Sequence, residues 1–206
     1  MVPSKLATLI AALKQEEHGF KHIVQAGNRI LEGTGQDHLE LAAALISGNS
    51  YQERMLGAHL LGCLAPENVK ALQLLKTKVV ADDNWRVQEM LAKAIDHYCK
   101  ITGYEKSLPE IRRWLKDPHP NLNRAVVEGL RIWTSRPYFR EHPQTAIDLI
   151  SSLRSHESEY LRKSVGNALR DISKKHPELV QKEIKTWDES DARVAFTLKR
   201  IGSGTG

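Results

Sequence analysis

The chain has 206 residues, 41% of them hydrophobic and 27% charged, with 30 Lys and Arg against 25 Asp and Glu for a net charge of +5. That is too apolar for a disordered tail, and no apolar run reaches the roughly 20 residues of a membrane span. The length suits one domain or two small ones, and Cys63 and Cys99, both in apolar helical stretches, read as buried free thiols of a reducing compartment.

The charge is uneven. Residues 1–103 carry 11 basic and 11 acidic side chains, whereas residues 104–206 carry 19 and 14 and so hold the whole excess. A basic half points weakly to an anionic partner, against the bland alternative of solvated helix faces. The N-terminal stretch 1–20 has helix-spaced apolar residues and lacks the apolar core and cleavage site of a signal peptide, which predicts a cytoplasmic protein.

Along the chain the apolar period stays helical. The stripes are Val87, Leu91, Ala94 and Tyr98; Leu122, Val126, Leu130 and Trp133; and Leu161, Val165, Leu169 and Ile172. Prolines at 3, 66, 109, 118, 120, 137, 143 and 177 fall at helix starts or breaks. No alternating strand or hairpin turn stands out, and the pattern predicts eleven or twelve helices.

The chain also repeats itself. YQERMLGAHLL (51–61), NWRVQEMLAKAI (84–95), NLNRAVVEGLRIW (121–133), YLRKSVGNALRDI (160–172) and ARVAFTLKRI (192–201) align by their apolar stripes with equivalent positions at 54, 85, 123, 162 and 193. Steps of 31 to 39 residues are the period of HEAT-type or armadillo-type helix pairs, which bury their faces only by stacking on neighbours. The expected fold is all-α, a curved right-handed α-solenoid. Residues 1–201 form a single repeat domain and 202–206 a flexible tail.

Three carboxylates then stand out. Glu89 lies about 200° around its helix from both Val87 and Leu91 and so faces away from the core stripe, with Trp85 one turn earlier on the same face. Glu128 is placed likewise, with Arg124 one turn before it, and so is Asp171, with Asn167 one turn before it. If the second helix of each pair lines a concave surface, the three acids converge in one groove, with Arg124, Arg131, Arg162 and Lys163 around its edge. The bland alternative is three solvated acids on exposed faces.

The segments NWRVQE (84–89), NLNRAVVEGLR (121–131) and YLRKSVGNALRDISKKHPELV (160–180) resemble the HEAT-like DNA-alkylation-repair family, the AlkC/AlkD-type glycosylases, with the AlkC branch the nearer. The resemblance implies a solenoid that binds duplex DNA in a concave basic face. It also implies cleavage of the N-glycosidic bond of cationic alkylated bases such as 3-methyladenine by a monomer that needs no cofactor or metal. Glu89, Glu128 and Asp171 match the acids of the three segments, and Trp85 precedes Glu89 by four as a tryptophan does in the AlkD branch. That branch has a second tryptophan where this chain has Asn167. The AlkC branch continues from Glu-Gly into Thr-Arg-Pro, where this chain reads Leu130-Arg131-Ile132. Trp85 and Asn167 are then the substrate contacts, and Arg124, Arg131, Arg162 and Lys163 the phosphate contacts.

The chemistry suits carboxylates. A cationic base is already a good leaving group, so what remains is to stabilise an oxocarbenium-like sugar and position a water. Acids in a phosphate-binding groove oppose binding, and a positive charge on the substrate explains them better. The rival is a non-catalytic repeat module binding nucleic acid or protein. His18 and His22, four apart, read as surface or cap histidines rather than a metal site. His176-Pro177-Glu178 reads as a helix start, and residues 117–121 as an inter-repeat turn.

Overall fold

The computed structural model describes residues 3–17, 19–34 and 37–202. His18 and residues 203–206 of the expected tail lie outside the described residues. Among the described residues there are thirteen α-helices, two 3-10 turns and no strand, so the all-α expectation holds with slightly more helices than the periodicity suggested. No helix is long and apolar enough to cross a membrane. Contacts divide the chain into two compact units, residues 1–101 and 102–206.

The first unit contains α1 (Pro3–Lys14), α2 (Phe20–Leu31), α3 (His38–Leu45), α4 (Tyr51–Leu64), α5 (Val69–Thr77), a 3-10 turn at Val79–Ala81, and all but the last residue of α6 (Trp85–Thr102). Helix α4 is its centre, packed against α1, α2, α3 and α5. It starts in a capping box: the Ser50 hydroxyl accepts the Glu53 amide, and the Glu53 carboxylate accepts the Ser50 amide. A Cβ added at Gly62 would sit 2.7 Å from the Ala94 Cβ, so a bare glycine lets α4 lie directly on α6.

The second unit contains α7 (Leu108–Leu115), α8 (Pro120–Gly129), a 3-10 turn at Trp133–Ser135, α9 (Pro137–Glu141), α10 (Pro143–Ser151), α11 (Glu159–Ser173), α12 (Pro177–Ile184) and α13 (Ala192–Gly202). Helix α11 is the hub, packed on α8, α10, α12 and α13. Its stripe Leu161, Val165, Leu169 and Ile172 is wholly buried, as expected. Trp133 is buried too, but not in α8: that helix ends at Gly129, and Trp133 turns back so that its indole N–H donates to the Val127 carbonyl at 3.2 Å. Gly202 belongs to α13 rather than to a tail.

One device recurs in the second helices α4, α6, α8 and α11. Each carries, as its fourth residue, a side chain that donates to backbone carbonyls before the helix. Arg54 reaches the Gly48 and Asn49 carbonyls. Gln88 reaches those of Val79, Val80 and Asp82, Asn123 those of Trp114 and Asp117, and Arg162 those of His156 and Glu157. These carbonyls cannot all reach water, and an unmet buried acceptor costs about 1–3 kcal/mol. The device corrects the repeat register: the α6 member of the series is Gln88, not residue 85, because Trp85 is the first residue of its helix.

Asn123 is 1% exposed and holds two carbonyls. Replacing it with Ala is expected to lower stability by about 2 kcal/mol and Tm by about 4–8 °C, whereas Lys163→Ala, which breaks an exposed pair with Glu159, leaves Tm essentially unchanged. Thermal denaturation of both variants checks this. If residues 1–201 fold as one domain, the wild-type melt is a single transition with matching calorimetric and van't Hoff enthalpies.

Candidate functional site

In the corrected register the three candidate acids follow the carbonyl-binding residue by one (Glu89 after Gln88), five (Glu128 after Asn123) and nine positions (Asp171 after Arg162). Steps of four stay on one helical face, so each acid lies on the same face of its own helix, one turn further along each time.

In the first unit, Asn84 accepts the Arg86 amide at 2.9 Å and opens α6. Trp85 is 49% exposed, and Glu89, half-buried, follows it by one turn. The Trp85 ring is not bare. Its centroid lies 6.0 Å from that of Phe20, and the Arg86 guanidinium stands over it at 4.6 Å while also covering the Tyr51 ring at 5.0 Å. A planar cation thus already lies over this tryptophan, which is the chemistry expected of a cationic base.

In the second unit the structure brings Glu128 and Asp171 to one arginine. The Arg131 Nε donates to Asp171 Oδ2 at 2.9 Å, and its Nη1 lies 3.6 Å from Glu128 Oε2. Lys174 Nζ holds the other Asp171 oxygen at 2.9 Å. Burial of the Asp171 carboxyl raises its pKa, but the two cations outweigh this and hold it below the ordinary carboxylate range. Asn167 spends its side-chain oxygen on Arg170 at 3.0 Å.

The expected phosphate contacts are largely occupied within the protein. Arg162 is 8% exposed, bound to the His156 and Glu157 carbonyls and lying 5.1 Å from the Phe196 ring. Arg124 is equally buried, with its guanidinium 4.4 Å over the Tyr160 ring. Lys163 pairs with Glu159 on the surface at 2.8 Å. Among the described residues no group of three or more His, Cys, Asp or Glu is arranged to hold a metal ion.

Helix α6 also carries a cationic cluster that lies outside the residues expected at the site. Lys93 and His97 continue the Trp85–Glu89 face at steps of four, and Lys100 lies one turn beyond Asp96, so these side chains share a cleft with His59 and Cys63 of α4. The cluster's spacing is legible in the sequence, but the electrically neutral sum of residues 1–103 masks it. Both cysteines are free thiols; Cys99 is buried, whereas Cys63 lines that cleft.

A family model described as DNA alkylation repair enzyme matches residues 21–198. The chain belongs to the DNA alkylation repair enzyme family. The crystal structure of AlkD2 from Streptococcus mutans is 42% identical, covers 98% of this chain and 97% of its own, and superposes with a TM-score of 0.91. The alkylpurine DNA glycosylase AlkC of Pseudomonas fluorescens, solved bound to DNA containing an abasic-site analogue, is 22% identical over 87% of this chain and 51% of its own, with a TM-score of 0.69. That likeness carries the fold alone. The helix-pair repeat fold expected from the sequence is the one these neighbours share. By identity the chain is nearer to AlkD2 than to AlkC, which reverses the expected branch. The uncharacterized protein YhaZ of Bacillus subtilis is 34% identical over 103 residues, 48% of this chain, and the chain spans under a third of that relative's length.

Removing the Arg131 charge tests the acid cluster. In Arg131→Gln the Asp171 carboxyl is expected to titrate at higher pH, read by NMR. Because the folded-state pKa is depressed, Asp171 contributes stability that is present above about pH 4 and lost as the pH falls further. The variant therefore unfolds at a less acidic midpoint than the wild type.

Proposed function

We propose that the protein is a DNA glycosylase-like enzyme. It binds duplex DNA and hydrolyses the N-glycosidic bond of cationic alkylated bases such as 3-methyladenine. The observation that carries this is Trp85, half exposed on a helix face one turn ahead of Glu89, in a chain of the alkylation-repair family. AlkC, a structural neighbour, is named an alkylpurine DNA glycosylase and is bound to DNA with an abasic-site analogue. This is in keeping with DNA as the proposed partner.

In this reading the glycosidic electron pair leaves with the base and neutralises its charge, while water adds to C1′ and gives its proton to a carboxylate. Glu89 is the first choice for that acid, with Glu128 or Asp171 assisting. A carboxylate about 4 Å from the developing sugar cation, at an effective dielectric near 20, is worth about 4 kcal/mol, roughly a thousandfold in rate. Trp85 offers its ring to the base, in the position the Arg86 guanidinium now takes. Lysines and arginines of the exposed helix faces hold phosphates without sequence preference. The protein works as a monomer in the bacterial cytosol, without cofactor or metal.

One observation favours a second reading. Glu128 and Asp171 are paired with Arg131 and Lys174, which lowers their value for stabilising a cation. A non-catalytic repeat module that binds nucleic acid or a protein partner would tolerate this arrangement.

The experiment is to incubate the protein with methylated duplex DNA and measure free 3-methyladenine. Release is expected, falling on the order of a thousandfold in Glu89→Gln. No release, with salt-sensitive duplex binding retained, selects the binding module. Full release by Glu89→Gln removes that residue from the chemistry.

A further inference from the structure

The cationic cleft of the first unit supplies none of the groups named for the chemical step above. It encloses about 260 Å³ between α4 and α6, with Val24 of α2 at its edge. The titratable groups that face it are His59 and Cys63 from α4 and Lys93, Asp96, His97 and Lys100 from α6. The two lysines are exposed at the rim and His97 is half-buried. His59 forms the floor, its Nε2 3.2 Å from Asn28 Oδ1 and 3.8 Å from Cys63 Sγ. Because Asn28 offers an oxygen, Nε2 carries the hydrogen and donates to it. The thiol and Asn28 thus meet the same ring nitrogen, so there is no relay from Cys63 through His59, and burial raises the thiol pKa further. The cluster is therefore not a nucleophile.

The fold makes room for this floor. A Cβ on Gly27 would lie 2.2 Å from the His59 ring, so α2 can pass the imidazole only with a glycine there. The result is a recess with two ammonium groups and a half-buried imidazole around its mouth, against a single carboxylate, Asp96. Met90 and Ala94 add apolar wall, which thins the water that would otherwise screen the charges.

We propose that this cleft binds a phosphate group through Lys93, His97 and Lys100. Lysines suit phosphate as mobile point charges, whereas a planar carboxylate is better matched by a guanidinium fork. The state of the floor agrees with an electropositive recess. The His59 pKa is pushed down to about 4, first by burial and then by the positive charge of His97 and Lys93. His97 is lowered by burial and Lys100, against the opposing pull of Asp96. A bound phosphate relieves that field, so phosphate binding raises the pKa of both imidazoles. The proposal does not rest on the glycosylase reading and holds equally for a non-catalytic binder.

The test titrates inorganic phosphate into the full chain at constant ionic strength set with chloride, following the His59 and His97 ring signals by NMR. Saturable shifts are expected, with affinity at least tenfold weaker in Lys93→Glu/Lys100→Glu. Both side chains are exposed, and far-UV circular dichroism checks that the fold survives. Lys93→Gln/Lys100→Gln serves if the charge reversal does not fold. No saturable shift, or undiminished binding in the substituted protein, overturns the proposal. An undamaged duplex, measured by anisotropy, identifies the source. Tenfold loss of duplex affinity in the same variant assigns the site to a backbone phosphate, and unchanged duplex affinity with phosphate binding lost assigns it to a free phosphate ester.

Discussion

A helix-pair repeat must turn the chain between its two helices, and the turn leaves backbone carbonyls facing inward. Everything else in this protein sits on the answer to that problem: a donor at the fourth position of the second helix, which reaches back to those carbonyls in four of the pairs. Arg54, Gln88, Asn123 and Arg162 differ in size and charge, yet each presents an N–H to the same kind of acceptor. The donor fixes the rotation of its helix relative to the turn. It thereby decides which residues, counted onward by four, face away from the core. Glu89, Glu128, Asp171 and the cations of the α6 cleft owe their orientation to it.

The fold was legible in the sequence because burial leaves a periodic trace. The stripe Leu161–Val165–Leu169–Ile172 could belong only to an amphipathic helix, and it is buried throughout. The register between repeats leaves a weaker trace. Apolar stripes tolerate a shift of three residues, since i and i+3 share a face, and this is the error that equated residue 85 with Arg54. The cap residues carry the sharper signal. Ser50, Asn84, His119 and Ser158 each accept an amide from the first turn of the following helix. Their spacing of 34, 35 and 39 residues is also the spacing of the carbonyl-binding donors. A cap must stand immediately before its helix, so it cannot slip by a turn.

The candidate site was legible in part for a related reason. Direction on a helix follows from spacing, so the outward face of Trp85 and Glu89 could be read directly. Partnership does not follow from spacing. Nothing in the sequence says that Arg131 lies between Glu128 and Asp171, forty residues from the latter, or that Arg124 stacks on Tyr160. Arginine is the residue most easily misjudged in this way. Its guanidinium satisfies carbonyls, carboxylates and ring faces alike, and in the second unit those partners are plentiful.

Net charge by half-chain therefore misplaces the electrostatics. The excess of +5 lies after residue 103, yet much of its arginine is committed internally: Arg124 and Arg154 to aromatic rings, Arg131 to carboxylates and Arg162 to carbonyls. The first half sums to zero, but its charges are sorted by face, and Lys93, His97 and Lys100 gather at one cleft. What an anion meets is set by the groups that remain at the surface and by how they cluster within a Debye length, about 8–10 Å at ordinary ionic strength. By that measure the neutral half offers a compact cationic recess, and in the basic half much of the guanidinium charge holds the repeats themselves together.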